Sequence, residues 1–243
     1  MNAIAVIPAR FASTRFPGKP LALIAGWPMV LHVYKRAREI KRVDGVIVAT
    51  DSDLIVKTVT DAGGVAIFTS QDHQSGTDRV AEITNGMPSD RIVLNIQGDL
   101  PFVDPRVCEQ LIQCLFDNPN IDIATPVIAQ GVGQQRDFLD SNTVKSVFDL
   151  NNKALYFSRR PIPDSTPYPV DQFPIWHKHI GIYAYRNEVL QKVSKLKPTK
   201  LEQYERLEQL RWLENGINVQ CVVVNNDCGP DINCPADLKR LNR

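Results

Sequence analysis

The chain has 243 residues, 43% of them hydrophobic and 7% aromatic, a globular composition with room for one large domain or two small ones that argues against a disordered polypeptide. With 28 basic against 27 acidic residues the net charge is about +1, which gives no electrostatic footprint for nucleic acid or an anionic membrane. No apolar run reaches the roughly 18 residues of a membrane span, and the five cysteines, odd in number and without zinc-site spacing, point to a soluble protein of the reducing cytoplasm. Short β-branched runs then alternate with longer helical patterns. Ala3–Ile7 reads as a strand, Pro28–Ile40 as a helix and Val46–Thr50 as a second strand. Asp51 or Ser52 caps a helix running to about Asp61, Gly63-Gly64 stops it, and Val65–Phe68 is a third strand. Further on come a helix at Ser75–Ile83, a buried strand at Arg91–Ile96, a helix at Pro105–Phe116 and a strand at Ile121–Pro126. This order predicts β-α-β units and a mostly parallel central sheet.

Beyond Gly131 the pattern changes. Val144–Phe148 and Ala154–Phe157 read as short strands, and Pro161–Pro174 holds five prolines in fourteen residues, a rigid excursion rather than sheet. Between Lys178 and Tyr185 the residues alternate. Ile180, Ile182 and Ala184 share one face, expected in the core, while His179, Gly181, Tyr183 and Tyr185 share the other, expected to meet a ligand. Leu201, Tyr204, Leu207 and Leu210 form a helical stripe, Val219–Val224 is a last strand and Pro235–Leu241 a last helix. The whole chain, 1–243, reads as one domain with a β-rich excursion at about 130–190.

The densest chemical signal follows the first strand directly. Residues 8–20 carry Arg10, Arg15 and Lys19, three cations in ten positions, among small residues and a Pro-Gly-Lys ending. In an open α/β sheet this loop lies over the carboxyl ends of the strands, where ligands bind. Small residues let the backbone approach phosphates, and the cations can neutralise a triphosphate and the charge that develops on transfer. The loop is not a P-loop, because Pro20 follows Gly18-Lys19 and no earlier glycine stands at the required spacing. Gly131 and Gly133 are misplaced for a dinucleotide fingerprint, which excludes a Rossmann dehydrogenase.

The segments Pro8-Ala9-Arg10, Ser13-Thr14-Arg15 and Pro17-Gly18-Lys19-Pro20 resemble the N-terminal signature of sugar cytidylyltransferases, and most closely the 3-deoxy-manno-octulosonate cytidylyltransferase family. The resemblance continues in order through Ala49-Thr50-Asp51, His73 to Arg79, Asn95 to Asp99, Ala154 to Arg159, His179 to Tyr183 and Leu207 to Arg211, almost the whole chain. It implies a three-layer, Rossmann-like α/β nucleotidyltransferase whose β-rich excursion closes the sugar site and builds a homodimer. The implied reaction moves a cytidylyl group from CTP to the anomeric hydroxyl of an acidic eight-carbon sugar, releasing pyrophosphate, for lipopolysaccharide assembly. Arg10, Arg15 and Lys19 would hold the departing pyrophosphate and Asp99 the Mg²⁺. Ala9, Arg10, Lys19, Gln74, Ser75 and Gly76 would bind the nucleotide. Gln97, Arg159, His179, Tyr183, Glu208 and Gln209 would hold the sugar carboxylate and hydroxyls. Rival readings are a related transferase with another acceptor, such as a sialate, and a catalytically weak nucleotide-binding paralogue.

The departures from the family are specific. Asp99 is followed by Leu100-Pro101 where the family has Glu-Pro. Near the C-terminus the family's second metal-binding Asp falls on Asn233, which can still offer a neutral oxygen to the ion; Asp231, two residues earlier, could replace it if the loop shifts. Both losses are compatible with an amino-substituted octulosonate as acceptor.

Overall fold

A computed structural model describes residues 3–12, 16–166, 168–169, 172–232 and 234–241. In chain order the strands are β1 (Ala3–Ala9), β2 (Leu23–Ile24), β3 (Trp27–Pro28), β4 (Val43–Thr50), β5 (Ala66–Phe68), β6 (Ile92–Ile96), β7 (Ile123–Gln130), β8 (Lys145–Phe148), β9 (Ala154–Ser158), β10 (Trp176–His179), β11 (Ile182–Arg186) and β12 (Val219–Val224). The helices are α1 (Met29–Arg38), α2 (Asp53–Asp61), α3 (Gly76–Thr84), α4 (Pro105–Asp117), α5 (Gln135–Leu139), α6 (Asn187–Val193), α7 (Lys200–Glu205), α8 (Gln209–Glu214) and α9 (Pro235–Leu241). β5, β4, β1 and β6 lie side by side and parallel; the sheet then continues through β11, β7, β10, β8 and β9 by antiparallel pairing, with β12 parallel to β7.

The central strand shows why the layers form. β1 is buried along its full length, and its alternate residues serve opposite layers. Ala3, Ala5, Ile7 and Ala9 pack with α1, α2 and α4, while Ile4 and Val6 pack with α3, α6 and α8. A strand covered on both faces needs apolar residues at every position, which is why its run is unbroken. α4 follows from local rules: Asp104 accepts the Arg106 backbone N–H at 2.9 Å as N-cap, Pro105 occupies the first turn, and Val107, Cys108, Leu111, Ile112 and Leu115 form its buried stripe. It stops at Asn118 because the following Pro119 keeps that residue out of helical geometry.

Three expectations need correction. The alternating segment at 178–185 has no open side: Tyr183 and Tyr185 are buried like Ile182 and Ala184, because β11 runs between β6 and β7 under helices on both faces. The segment also breaks at Ile180-Gly181; β10 before the break pairs with β7 and β8, β11 after it with β6 and β7. The stripe at 201–210 is two helices, since Arg206 adopts left-handed geometry (φ 55°) after α7 and turns the chain into α8, leaving Tyr204 exposed. The hairpin β2–β3 and helices α5 and α6 were not anticipated, and β7 runs four residues past Pro126. Pro161–Pro174 forms no strand among its described residues. No described helix is long and apolar enough to cross a membrane.

Candidate active site

The parallel strands β1, β4 and β6 end together, so the loops after Ala9, Thr50 and Ile96 converge at one end of the sheet. Chain order reverses about β1, whose neighbours are β4 on one side and β6 on the other, and such a reversal opens a crevice at the strand ends. A cleft of about 290 Å³ lies there, walled by Ala9 and Arg10, by Lys19, by Gln74, Ser75 and Gly76 at the start of α3, and by Gln97 and Asp99 after β6. Each described residue expected at the nucleotide is therefore in one place. Arg15 and Asn233 lie outside the described residues.

Local chemistry aims these groups. Ser75 and Asp78 form a reciprocal cap, Ser75 Oγ accepting the Asp78 N–H at 3.1 Å and Asp78 Oδ2 accepting the Ser75 N–H at 3.0 Å. The cap fixes the N-terminus of α3 against the cleft, an end that favours anions. Asp51 clasps the first loop, accepting the Phe11 N–H at 3.1 Å through one oxygen and the Arg79 guanidinium at 2.9 Å through the other. Arg79 is buried and lines the cleft; it was legible only as part of a motif, because its role depends on Asp51, 28 residues away. His73, also in the wall, contacts Glu82. Gly98 allows the β6 loop to touch β1: a Cβ there would stand 2.9 Å from the Pro8 carbonyl oxygen, a backbone atom with no rotamer to yield. Gly98→Ala is accordingly expected to push the two loops apart and weaken CTP binding at least tenfold, with a loss of about 1–3 kcal/mol in folding stability. Titration of CTP by calorimetry together with urea denaturation checks it.

Lys19 and Asp99 face each other across the cleft. Lys19 Nζ donates to Asp99 Oδ2 at 2.8 Å and to the Ile232 carbonyl at 3.1 Å, while the Ile232 N–H donates to the Asp99 carbonyl at 3.1 Å. The C-terminal loop is thereby laid over the β6 loop, which brings Asp231 next to Asp99. Asp231 has accessible surface, but the protein packed around it and the Asp99 carboxylate together push its pKa up to about 6. Arg10 is exposed and makes no hydrogen bond among the described residues, a cation open to a phosphate. Leu100 is buried in the core and does not line this cleft.

Behind the nucleotide cleft lies a second set of residues. The break at Ile180-Gly181 lets Gly181 pass close to Gln97: a Cβ on that glycine would meet Gln97 Cγ at 3.8 Å. Gln97 Nε2 donates to Asn95 Oδ1 at 3.0 Å. Glu208 is held by the Thr77 hydroxyl at 2.6 Å, and burial pushes its pKa up. Its Oε1, with Asn95 Nδ2 and Tyr185 Oη, is buried without a hydrogen bond of good geometry, although Ser75 lies close to Glu208 and Thr77 and Asn95 close to Tyr185. His179 is buried between Phe157 and Tyr183, and burial pushes its pKa down to about 3, so the ring is neutral. The Thr125 hydroxyl donates to the Ile182 carbonyl at 2.8 Å and so accepts from His179 Nε2–H at 2.9 Å, which leaves Nδ1 as an acceptor. Gln209 is buried at the start of α8. Arg159 is placed differently: Nε donates to the Glu205 carbonyl, Nη1 to that of Ser141 and Nη2 to that of Arg206, so the guanidinium ties the excursion to the end of α7.

A cleft at the crevice of a three-layer α/β sheet, lined by cations and a helix N-terminus with a lysine and a carboxylate facing across it, has the features expected of a nucleotidyltransferase. The cytidylyltransferase family model matches residues 4–220, and the chain belongs to that family. It is 42% identical to the 3-deoxy-manno-octulosonate cytidylyltransferase of Geobacter sulfurreducens, over 99% of this chain and 98% of that one. It is also 42% identical to the 8-amino-3,8-dideoxy-manno-octulosonate cytidylyltransferase of Shewanella pealeana, over 98% and 96%. Among solved structures, CMP:2-keto-3-deoxy-manno-octonic acid synthetase complexed with CTP superposes with a TM-score of 0.90 at 43% identity, over 99% of this chain and 97% of that one.

Proposed function

We propose that this protein transfers a cytidylyl group from CTP to the anomeric hydroxyl of 3-deoxy-manno-octulosonate or its 8-amino form, releasing pyrophosphate, in the cytoplasmic supply of lipopolysaccharide sugars. The observation that carries the reading is the single cleft in which Arg10, Lys19, the α3 N-terminus and Asp99 converge. In the reaction the anomeric oxygen forms a bond to the α-phosphorus as the bond from that phosphorus to the bridging oxygen of pyrophosphate breaks, and the hydroxyl proton passes to solvent or to the departing pyrophosphate. Arg10 and Lys19, with Arg15, meet the charge that gathers on the leaving group. The unsatisfied Glu208 Oε1 and Asn95 Nδ2, with His179 Nδ1, supply acceptors and a donor for sugar hydroxyls beside Gln97 and Tyr183.

The donor set suits Mg²⁺, which is commonly held by one or two carboxylates with substrate phosphates and water completing its shell. Asp99 would hold it, with Asp231 or Asn233 as the second oxygen; among the described residues no group of three ligating side chains competes for it. When bound, the ion neutralises phosphate charge. The exposed Leu139, Leu155, Tyr168 and Ile175 on the β-rich excursion support a second copy of the chain as partner.

The test is pyrophosphate release from CTP with Mg²⁺, comparing 3-deoxy-manno-octulosonate, its 8-amino analogue and N-acetylneuraminate. Release with an octulosonate is expected, and the better of the two names the acceptor. Preference for the sialate, or silence from both the natural chain and Asn233→Asp, overturns the assignment; release only from Asn233→Asp marks a nucleotide-binding relative. For the metal, Asp231→Asn is expected to weaken Mn²⁺ binding about tenfold, read from the free-ion spin-resonance signal. Unchanged affinity gives the second position to Asn233.

A further inference from the structure

The opposite end of the sheet, where β1 and β6 begin and β11 finishes, holds a second cavity of about 420 Å³. Its walls include Ile92, Ile112, Phe116 and Pro119, and two arginines, Arg91 and Arg186, line it together with Asp90. We propose that this cavity binds a small oxyanion, a carboxylate or phosphate carried on a flat or apolar body.

The two guanidiniums are built in rather than free on the surface. Arg186 Nη2 donates to the carbonyls of Leu115 at 2.6 Å and Asn118 at 3.1 Å, at the end of α4. Arg91 Nη2 pairs with Asp44 at 3.0 Å. Among the described residues these are the only hydrogen bonds either guanidinium makes, and the Nε of each is buried without a partner. The Nη1 of each makes no hydrogen bond among the described residues and, unlike Nε, is not sealed off, so two donors beside one cavity are open to oxygen acceptors. A guanidinium presents its N–H groups as a planar fork that matches two oxygens of a carboxylate or phosphate. Because one nitrogen of each fork is already fixed, a ligand pays little to order these long side chains. Phe116, half-exposed, offers a ring face to the body of the ligand. Asp90 opposes an anion, and Asp44 offsets the charge on Arg91, so the site favours a singly charged ligand over a polyanion such as a triphosphate. The cavity shares no lining residue with the nucleotide cleft, and the inference does not depend on the reaction proposed above.

The experiment is calorimetric titration of the full chain, saturated with CTP in the absence of acceptor, with inorganic phosphate and separately with benzoate. One anion is expected to bind per chain; stronger binding of benzoate assigns the site to aromatic carboxylates, stronger binding of phosphate to phosphorylated ligands. Arg91→Gln and Arg186→Gln are each expected to weaken that binding at least tenfold while leaving CTP binding unchanged, and Asp90→Asn to strengthen it about threefold. Arg186 also ties down α4, so if its variant loses stability the Arg91 and Asp90 variants decide the matter, Arg91 having an exposed partner in Asp44. Absence of anion binding to the CTP-saturated protein, or binding indifferent to Arg91→Gln and Asp90→Asn, overturns the proposal.

Discussion

Replacing Lys19 by Met is expected to lower pyrophosphate release from CTP about a thousandfold while leaving the fold intact. Two magnitudes separate these effects. The Lys19–Asp99 pair is partly exposed, with side chains 18% and 27% accessible, and a pair of that kind adds about 1 kcal/mol or less to stability. A preorganised cation on a departing phosphate is worth far more, since removing one such group in phosphoryl transfer costs about 10³-fold or above. Asp99→Asn is expected to cost a similar factor for a different reason: it removes the carboxylate that would hold the ion and frees Lys19 from its partner. Because the two groups work on the same phosphates, Lys19→Met combined with Asp99→Asn loses less than the product of the single factors. Steady-state pyrophosphate release and melting curves of the three variants check both halves. A multiplicative loss, or a thousandfold loss accompanied by unfolding, refutes the shared role.

The second large effect is acid sensitivity through His179. Its folded pKa of about 3 lies below the ordinary value of 6.5, so between these limits the unfolded chain binds a proton that the folded chain refuses. Stability from this residue is therefore complete above about pH 6.5 and is lost as pH falls toward 3, by at most about 5 kcal/mol. His179→Gln keeps a donor for Thr125 without a titrating ring. The difference between natural protein and variant in urea midpoint, measured from pH 7 to pH 4, should shrink or change sign as the pH falls; a constant difference sinks the argument. At pH 7.5 the variant should also need more acceptor sugar for half-maximal rate, since the longer amide cannot copy the Nδ1 acceptor.

Much of the cleft proposed for the nucleotide was legible because its residues obey short-range rules. The loop at 8–20 follows a buried strand, and strand direction alone carries it to the ligand end of the sheet. Ser75 with Asp78 is a capping pair three residues apart, so the start of α3 can be read locally. The sugar side was less legible. His179 and Tyr183 were expected on an open face, yet both are buried, because the order in which strands 6, 11 and 7 pair is a property of contacts across the chain. Arg159 stands in a family motif, but its geometry is set by three carbonyls from 18 to 47 residues away.

The sequence by itself determined the layered class and the end of the sheet where the cleft opens, since alternation, capping and breaker residues act within a few positions and fix element type and chain direction. It also determined which cations and carboxylates were available. Only the tertiary structure decided which of them meet. The pairing of Lys19 with Asp99, Asp231 beside Asp99, Asp51 clasping Arg79, and the two arginines at the far end of the sheet all join residues distant in sequence. Such meetings follow from how strands and helices pack against one another, and packing has no short-range pattern in the order of amino acids.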